Sequence, residues 1–137
     1  MKKTVIFLFS LFLPLLSLAA RDKASEALLE RISPGSKGRI SFELQKSSNQ
    51  DTDFFEISMK NGKPHIAGNN SVSVATGLNW YLKHFCGINL TWNNMLTSLP
   101  DELPVVTKPI RKETPLTMRY DFNYCTFSYS MPFWDWD

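Results

Sequence analysis

The chain has 137 residues, 43% of them hydrophobic and 13% aromatic, with fifteen basic against thirteen acidic side chains and a formal net charge of +2. A balance this close to neutral lacks the basic face whose phosphate contacts drive nucleic-acid binding, so no nucleic acid is expected as a partner. A neutral or weakly charged substrate fits better.

The N-terminus carries Lys2-Lys3, then the apolar run from Val5 to Leu13, a break at Pro14, and the small-residue stretch Ser17-Leu18-Ala19-Ala20. This order predicts a signal peptide over residues 1–20, cut near Ala19 or Ala20. Its apolar core is short of the ~20 residues a membrane-spanning helix needs, so no stable membrane insertion is expected after cleavage. The protein is expected to be exported, to a periplasm or beyond. Losing Lys2 and Lys3 leaves thirteen bases and thirteen acids, a formally neutral remainder.

Ala24, Ala27, Leu28, Arg31 and Ile32 follow helical spacing until Pro34-Gly35 ends the pattern. The alternations Ile40, Phe42, Leu44 within 39–45 and Phe55, Ile57, Met59 within 53–60 predict two half-buried strands. Asn61-Gly62 is a tight-turn signal that makes a hairpin with the stretch from Lys63 to Gly68. Pro64, lacking an N–H, is expected to put that third strand at an edge or keep it short. Asn69-Asn70-Ser71 offers a helix cap, with Asn69 the favoured one, and Val72, Ala75, Leu78, Leu82 and Phe85 repeat at three and four until Gly87. A further short strand is expected over Ile88 to Trp92, then a proline-punctuated linker from Leu99 to Pro109. Together these predict an α+β fold, a small sandwich of an antiparallel-rich sheet with two helices on one face, over residues 21–110.

Single polar residues offer little chemistry of their own. His65 and His84 are isolated, and neither Cys86 nor Cys125 has metal-ligand spacing, so no metal site is expected. No disulfide between the two cysteines is expected either, because Cys86 ends a helix inside an apolar ridge. Glu26, Glu30, Glu43 and Glu56 lie on amphipathic faces and are expected to be solvated. Asn69-Asn70-Ser71 and Asn89-Leu90-Thr91 match the glycosylation acceptor pattern, but no glycans are expected in an exported chain of bacterial character.

The C-terminal segment is different, since eight of the eighteen aromatic residues fall between Tyr120 and Asp137. Rings interleaved with Asp121, Asn123, Cys125, Ser128 and Asp135 suit the wall of a sugar cleft, where ring faces meet pyranose C–H surfaces and polar tips meet hydroxyls. A new strand is expected from Leu116, with Arg119, Asp121, Asn123 and Cys125 on one side. The chain therefore reads as the opening of a longer protein.

The run Arg119-Tyr120-Asp121-Phe122-Asn123-Tyr124-Cys125-Thr126-Phe127-Ser128-Tyr129-Ser130, followed by Phe133-Trp134-Asp135-Trp136, resembles the start of the catalytic domain of the α-N-acetylglucosaminidases, glycoside hydrolase family 89. Upstream, the helix from Ala75 to Gly87, with Gly77, Tyr81-Leu82 and Phe85-Cys86, is similar to a helix of that family. Residues 21–69 match only in layout. The resemblance implies an N-terminal α+β domain, a (β/α)8 barrel whose first strand lies in 111–137, and a helical C-terminal domain. It implies an exported retaining glycosidase acting on glycans with terminal α-linked N-acetylglucosamine, with no cofactor. The catalytic pair would be two glutamates on later barrel strands, outside this sequence, so the chain alone is expected to be inactive. By position the resemblance assigns Asn123 and Cys125 to the sugar-binding subsite, Cys125 as a wall and not a nucleophile. Asp121 and Asp135 are not expected to be the catalytic pair. The competing expectation is a noncatalytic secreted carbohydrate-binding module in which the tail aromatics form the whole site. A structural secreted domain without a ligand is the third.

Overall fold

A computed structural model describes residues 20–47, 52–91 and 93–116. The expected signal peptide up to Ala19 and the aromatic segment after Leu116, with Asn123 and Cys125, lie outside the described residues. Among the described residues seven elements follow one another: β1 (Ala20–Arg21), α1 (Lys23–Ile32), β2 (Ser41–Leu44), β3 (Asp53–Lys60), β4 (Lys63–Gly68), α2 (Ser71–His84) and β5 (Ile110–Thr114). The five strands form one sheet in the order β1-β2-β4-β3-β5. The β2–β4 pair is parallel and the other three are antiparallel, so the α+β, antiparallel-rich expectation stands with one parallel seam.

Helix α1 starts where the Asp22 side chain accepts from Ala24 N, and its dipole is matched by Glu26 in the first turn and Arg31 in the last. The face it buries is Ser25, Leu29 and Ile32, one residue round from the expected stripe of Ala24, Ala27 and Leu28. Serine sits inside because its hydroxyl donates to Asp22 Oδ2 at 2.6 Å. The stripe therefore includes a polar residue that a hydrophobicity pattern passes over.

The β3–β4 hairpin closes through Asn61 and Gly62, with φ of +53° and +73°. Both are left-handed, the geometry in which a two-residue turn matches strand twist. Contrary to expectation, β4 is neither short nor at an edge: it lies between β2 and β3. Pro64 is tolerated there for two reasons. With Lys60 and Lys63 closing the turn, Met59 and Pro64 form the next pair, which in an antiparallel ladder is not hydrogen-bonded. On the other side, the ladder with β2 begins only at His65, opposite Ser41.

Helix α2 is capped by Asn70, whose side chain accepts from Ser73 N at 2.8 Å. Asn69, the expected cap, instead accepts from Phe54 N at 3.0 Å and donates to Asp53 Oδ1 at 2.8 Å. The helix buries Val74, Gly77, Leu78, Tyr81 and Leu82. Val72, expected on that stripe, is 68% exposed. Gly87, at φ +67°, turns the chain so that Ile88 N reaches Leu82 O at 2.9 Å.

Of the strand expected over Ile88 to Trp92, the described residues Ile88 to Thr91 form none, and a bridge joins Thr91 to Asn94. Nor is the proline-rich stretch a free linker. Thr97 N bonds to Ile32 O at 2.8 Å, Arg39 donates to Asp101 O at 2.7 Å, and Tyr81 donates to Pro104 O at 2.7 Å. Leu99 and Val106 enter the core with Phe55, Ile57, Ile66, Leu78 and Leu82. Burial of each such side chain contributes ~1.5–3 kcal/mol, which fixes the stretch across the helix ends. The sheet also runs beyond residue 110, because Ile110–Thr114 pairs with β3.

Candidate functional site

Phe42, Ile57 and Ile66 point toward the helices, so strand alternation sends Ser41, Glu43, Glu56, His65 and Ala67 to the face opposite α1 and α2. Ser41 is opposite His65 and Glu43 is opposite Ala67 in the parallel seam, which brings together residues twenty-four apart. Ser41 Oγ lies 2.9 Å from His65 Nδ1, and His65 Nε2 lies 3.3 Å from Glu43 Oε2. Lys60 donates to the same Glu43 oxygen at 3.0 Å, and Gln45 donates to Glu43 Oε1 at 3.0 Å. A concavity of about 530 Å³ lies over the group, lined also by Arg21, Glu26 and Lys63.

Burial lowers the His65 pKa, and Lys60 adds to the shift, while the Glu43 and Glu56 charges oppose it. A neutral ring that donates Nε2–H to Glu43 leaves Nδ1 to accept from Ser41. For Glu43, burial alone would raise the carboxyl. Hydrogen bonds from Lys60 and Gln45, with the Lys60 and His65 charges, outweigh it and hold the group below the ordinary carboxylate value. A serine, a histidine and a glutamate in line resemble a nucleophilic relay, but acyl transfer also needs free donors aimed at an oxyanion. The bonds pairing β2 with β4 occupy the backbone beside Ser41, and Ser41 Oγ also reaches Pro64 O at 3.3 Å. The trio is a polar pin across the seam.

The glutamates expected to be solvated are mostly engaged. Glu30 accepts from Gly35 N and Lys37 N at 2.8 and 2.9 Å, Glu26 pairs with Arg21, and Glu56 meets Arg111 at 3.9 Å. His65 is hydrogen-bonded, and the exposed His84 packs against Trp80 with ring centroids 4.2 Å apart and the planes tilted by 39°. Cys86 is a free, half-buried thiol whose pKa is raised by burial, with Tyr81 and Arg39 opposing the shift, which disfavours the thiolate needed for nucleophilic or metal-binding chemistry. Among the described residues no group of three histidine, cysteine, aspartate or glutamate side chains could hold a metal ion, and no helix is long and apolar enough to cross a membrane.

The described residues thus form a self-satisfied scaffold, and the residues expected to touch sugar, Asn123 and Cys125, are not among them. Comparison with known proteins supplies the context. Residues 23–105 match the family described as the alpha-N-acetylglucosaminidase (NAGLU) N-terminal domain. That span includes α1 and the β2–β4 seam, so the likeness is wider than the motifs in the sequence indicated. The human alpha-N-acetylglucosaminidase is 32% identical over 127 residues, 86% of this chain and 17% of that protein. A family 89 glycoside hydrolase from Clostridium perfringens, solved with 2-acetamido-1,2-dideoxynojirmycin, superposes with a TM-score of 0.68 at 38% identity, over 81% of this chain and 13% of that one. The same enzyme solved with its substrate GlcNAc-alpha-1,4-galactose gives the same match. The chain therefore spans a small part of these relatives, and the family profile covers well over half of the chain. On that coverage, this chain belongs to the alpha-N-acetylglucosaminidase N-terminal domain family.

Proposed function

We propose that this chain is the N-terminal part of an exported retaining glycoside hydrolase that removes terminal α-linked N-acetylglucosamine from glycans. The observation carrying the reading is the family match through both helices and the three inner strands β2, β3 and β4, residues 23–105. The related enzyme from Clostridium perfringens was solved in complex with its substrate GlcNAc-alpha-1,4-galactose, which supports a glycan ending in that sugar. The domain acts as a scaffold before a (β/α)8 barrel, and the first barrel strand falls in the segment that holds Asn123 and Cys125.

In that placement Asn123 and Cys125 share one side of a strand whose carboxyl end opens on the active-site mouth. Asn123 donates to and accepts from sugar hydroxyls, while Cys125 packs as a wall. Retention requires two carboxyl groups about 5–5.5 Å apart, one protonating the leaving oxygen and the other attacking the anomeric carbon. Later barrel strands supply both as glutamates. The N-terminal segment directs export and is cut away near Ala19 or Ala20.

The test is hydrolysis of an aryl α-N-acetylglucosaminide by the full-length protein, followed by proton NMR of the first product. The expected product is the α-anomer, and Asn123→Ala is expected to raise KM at least about tenfold, the equivalent of one lost sugar hydrogen bond. No turnover of any α-N-acetylglucosaminide would overturn the proposal.

A further inference from the structure

Helix α2 lies over β3 and β4, and α1 lies against β2 and α2. Among the described residues, neither helix lies over the edge strand β5 in this way. Residues Ile110 and Lys112 on its inner side are opposite Ile57 and Phe55 of β3. Helix α2 meets this side through Trp80, whose ring centre is 5.2 Å from Lys112 Nζ. Val72, Thr76 and Trp80 stand four apart, which puts them on one flank of α2. Between that flank and β5 runs a groove of about 280 Å³, walled by Val72 and Thr76 on one side and Lys112 and Thr114 on the other, with Phe55 below.

Val72 at the rim is 68% exposed, and Leu116, two residues past the end of β5, is 65% exposed. A β-branched apolar residue gains nothing from water in the first turn of a helix and forms helix poorly. The outer edge of β5 adds a row of backbone groups with no strand beside them among the described residues, and such edges are normally covered.

We infer that this groove seats the domain that follows β5 in the same polypeptide, an inference that rests on the reading that such a domain follows. The relatives provide the material for it, since this chain spans only 17% and 13% of their lengths. The tether favours it over a second copy. The chain leaves β5 beside the groove, so the next domain is held there at high effective concentration without the entropy cost of bimolecular association. The occupant presents an apolar projection to Val72 and Leu116, and a carboxylate or carbonyl to Lys112.

The experiment uses the full-length protein with Val72→Arg and, separately, Thr76→Arg. Both side chains are exposed here, so neither change disturbs the core. In the parent, the β5 amides are expected to be protected from hydrogen exchange, and the domain is expected to unfold together with the rest. In either variant a separate, earlier transition is expected, with exchange in β5 faster by about tenfold or more. An unchanged single transition and unchanged protection in Val72→Arg would overturn the inference. Met95→Arg, at another exposed apolar residue, is expected to change neither; uncoupling by that variant alone would move the interface to the 88–109 stretch and also overturn it. Glycosidase activity is read separately. Uncoupling without any activity would remove the proposed function and leave the docking, and activity without uncoupling would do the reverse.

Discussion

Ser71 donates its hydroxyl to Asp22 Oδ1 at 3.0 Å, across forty-nine residues of sequence. Asp22 is the cap of α1 and Ser71 is the first residue of α2, so one carboxylate ties two helix N-termini together. It also accepts from Ser25, and it is only 2% exposed. The positive ends of two helix dipoles therefore share one negative charge.

Asp22→Ala removes a cap and leaves two hydroxyls without an acceptor, and is expected to destabilise the protein by about 2 kcal/mol. Asp22→Asn keeps the cap and should cost less than half as much. Urea denaturation followed by circular dichroism measures both. A Ser71→Ala and Asp22→Ala double-mutant cycle should show coupling, because neither partner is left to act alone.

Gly77 lies on the sheet side of α2, where an added Cβ would come within 2.7 Å of Ile66 Cγ2 and 3.2 Å of Phe55. In an exposed helix glycine to alanine stabilises by about 1 kcal/mol. Here the clash is with a β-branched side chain that is fully buried at the centre of the sheet, so the helix must move outward. Gly77→Ala is expected to lose a net ~1–2 kcal/mol, read as a lower thermal midpoint. A raised midpoint would show that α2 shifts freely over β4.

Much of this fold was legible because its signals are local. The Asn61-Gly62 turn, the alternation in β3 and the glycine that stops α2 each depend on neighbours a few residues away. Pro64 misled because its cost depends on which pair it falls in, and pairing is set by turn geometry and by β2, far off in sequence. Asn69 and Asn70 offer the same chemistry and both donate to Asp53 Oδ1; Phe54 N, far off in sequence, occupies the Asn69 oxygen and leaves Asn70 to cap. β5 was missed because Arg111, Lys112 and Glu113 lie on an edge and show no buried–exposed alternation. The polar pin of Ser41, His65 and Glu43 depends on the parallel seam, for which the sequence has no local mark. The sugar-site motif was legible as a family likeness, and its residues lie beyond the described part of the chain.

Tyr81 is fully buried with its hydroxyl on Pro104 O. Burial pushes its phenol far above the ordinary value, so it stays a donor across the working pH range. Tyr81→Phe keeps the ring stacked on Phe85 but leaves a carbonyl unpaired, at an expected cost of about 1–2 kcal/mol. The loss should be local. Protease cleavage in the stretch between Leu99 and Val106 is expected to speed up more than global unfolding does, measured by mass spectrometry of early fragments.

His65 makes stability depend on pH, and the sign follows from burial. Its folded pKa lies below the model-peptide value of 6.5, so the folded state binds fewer protons than the unfolded chain near that pH. Stability from the neutral ring is fully present above 6.5 and is lost as pH falls from 6.5 through the folded pKa. Glu43, also held below its ordinary value of 4.5, contributes stability present above 4.5 and lost at lower pH. The two losses have the same sign and begin at different pH values. Urea midpoints measured from pH 8 downward should therefore begin to fall near 6.5 and fall again below 4.5. His65→Gln, which retains a hydrogen-bonding side chain without the titration, is expected to abolish the first decline and keep the second. A first decline that survives in His65→Gln would assign that titration to another group.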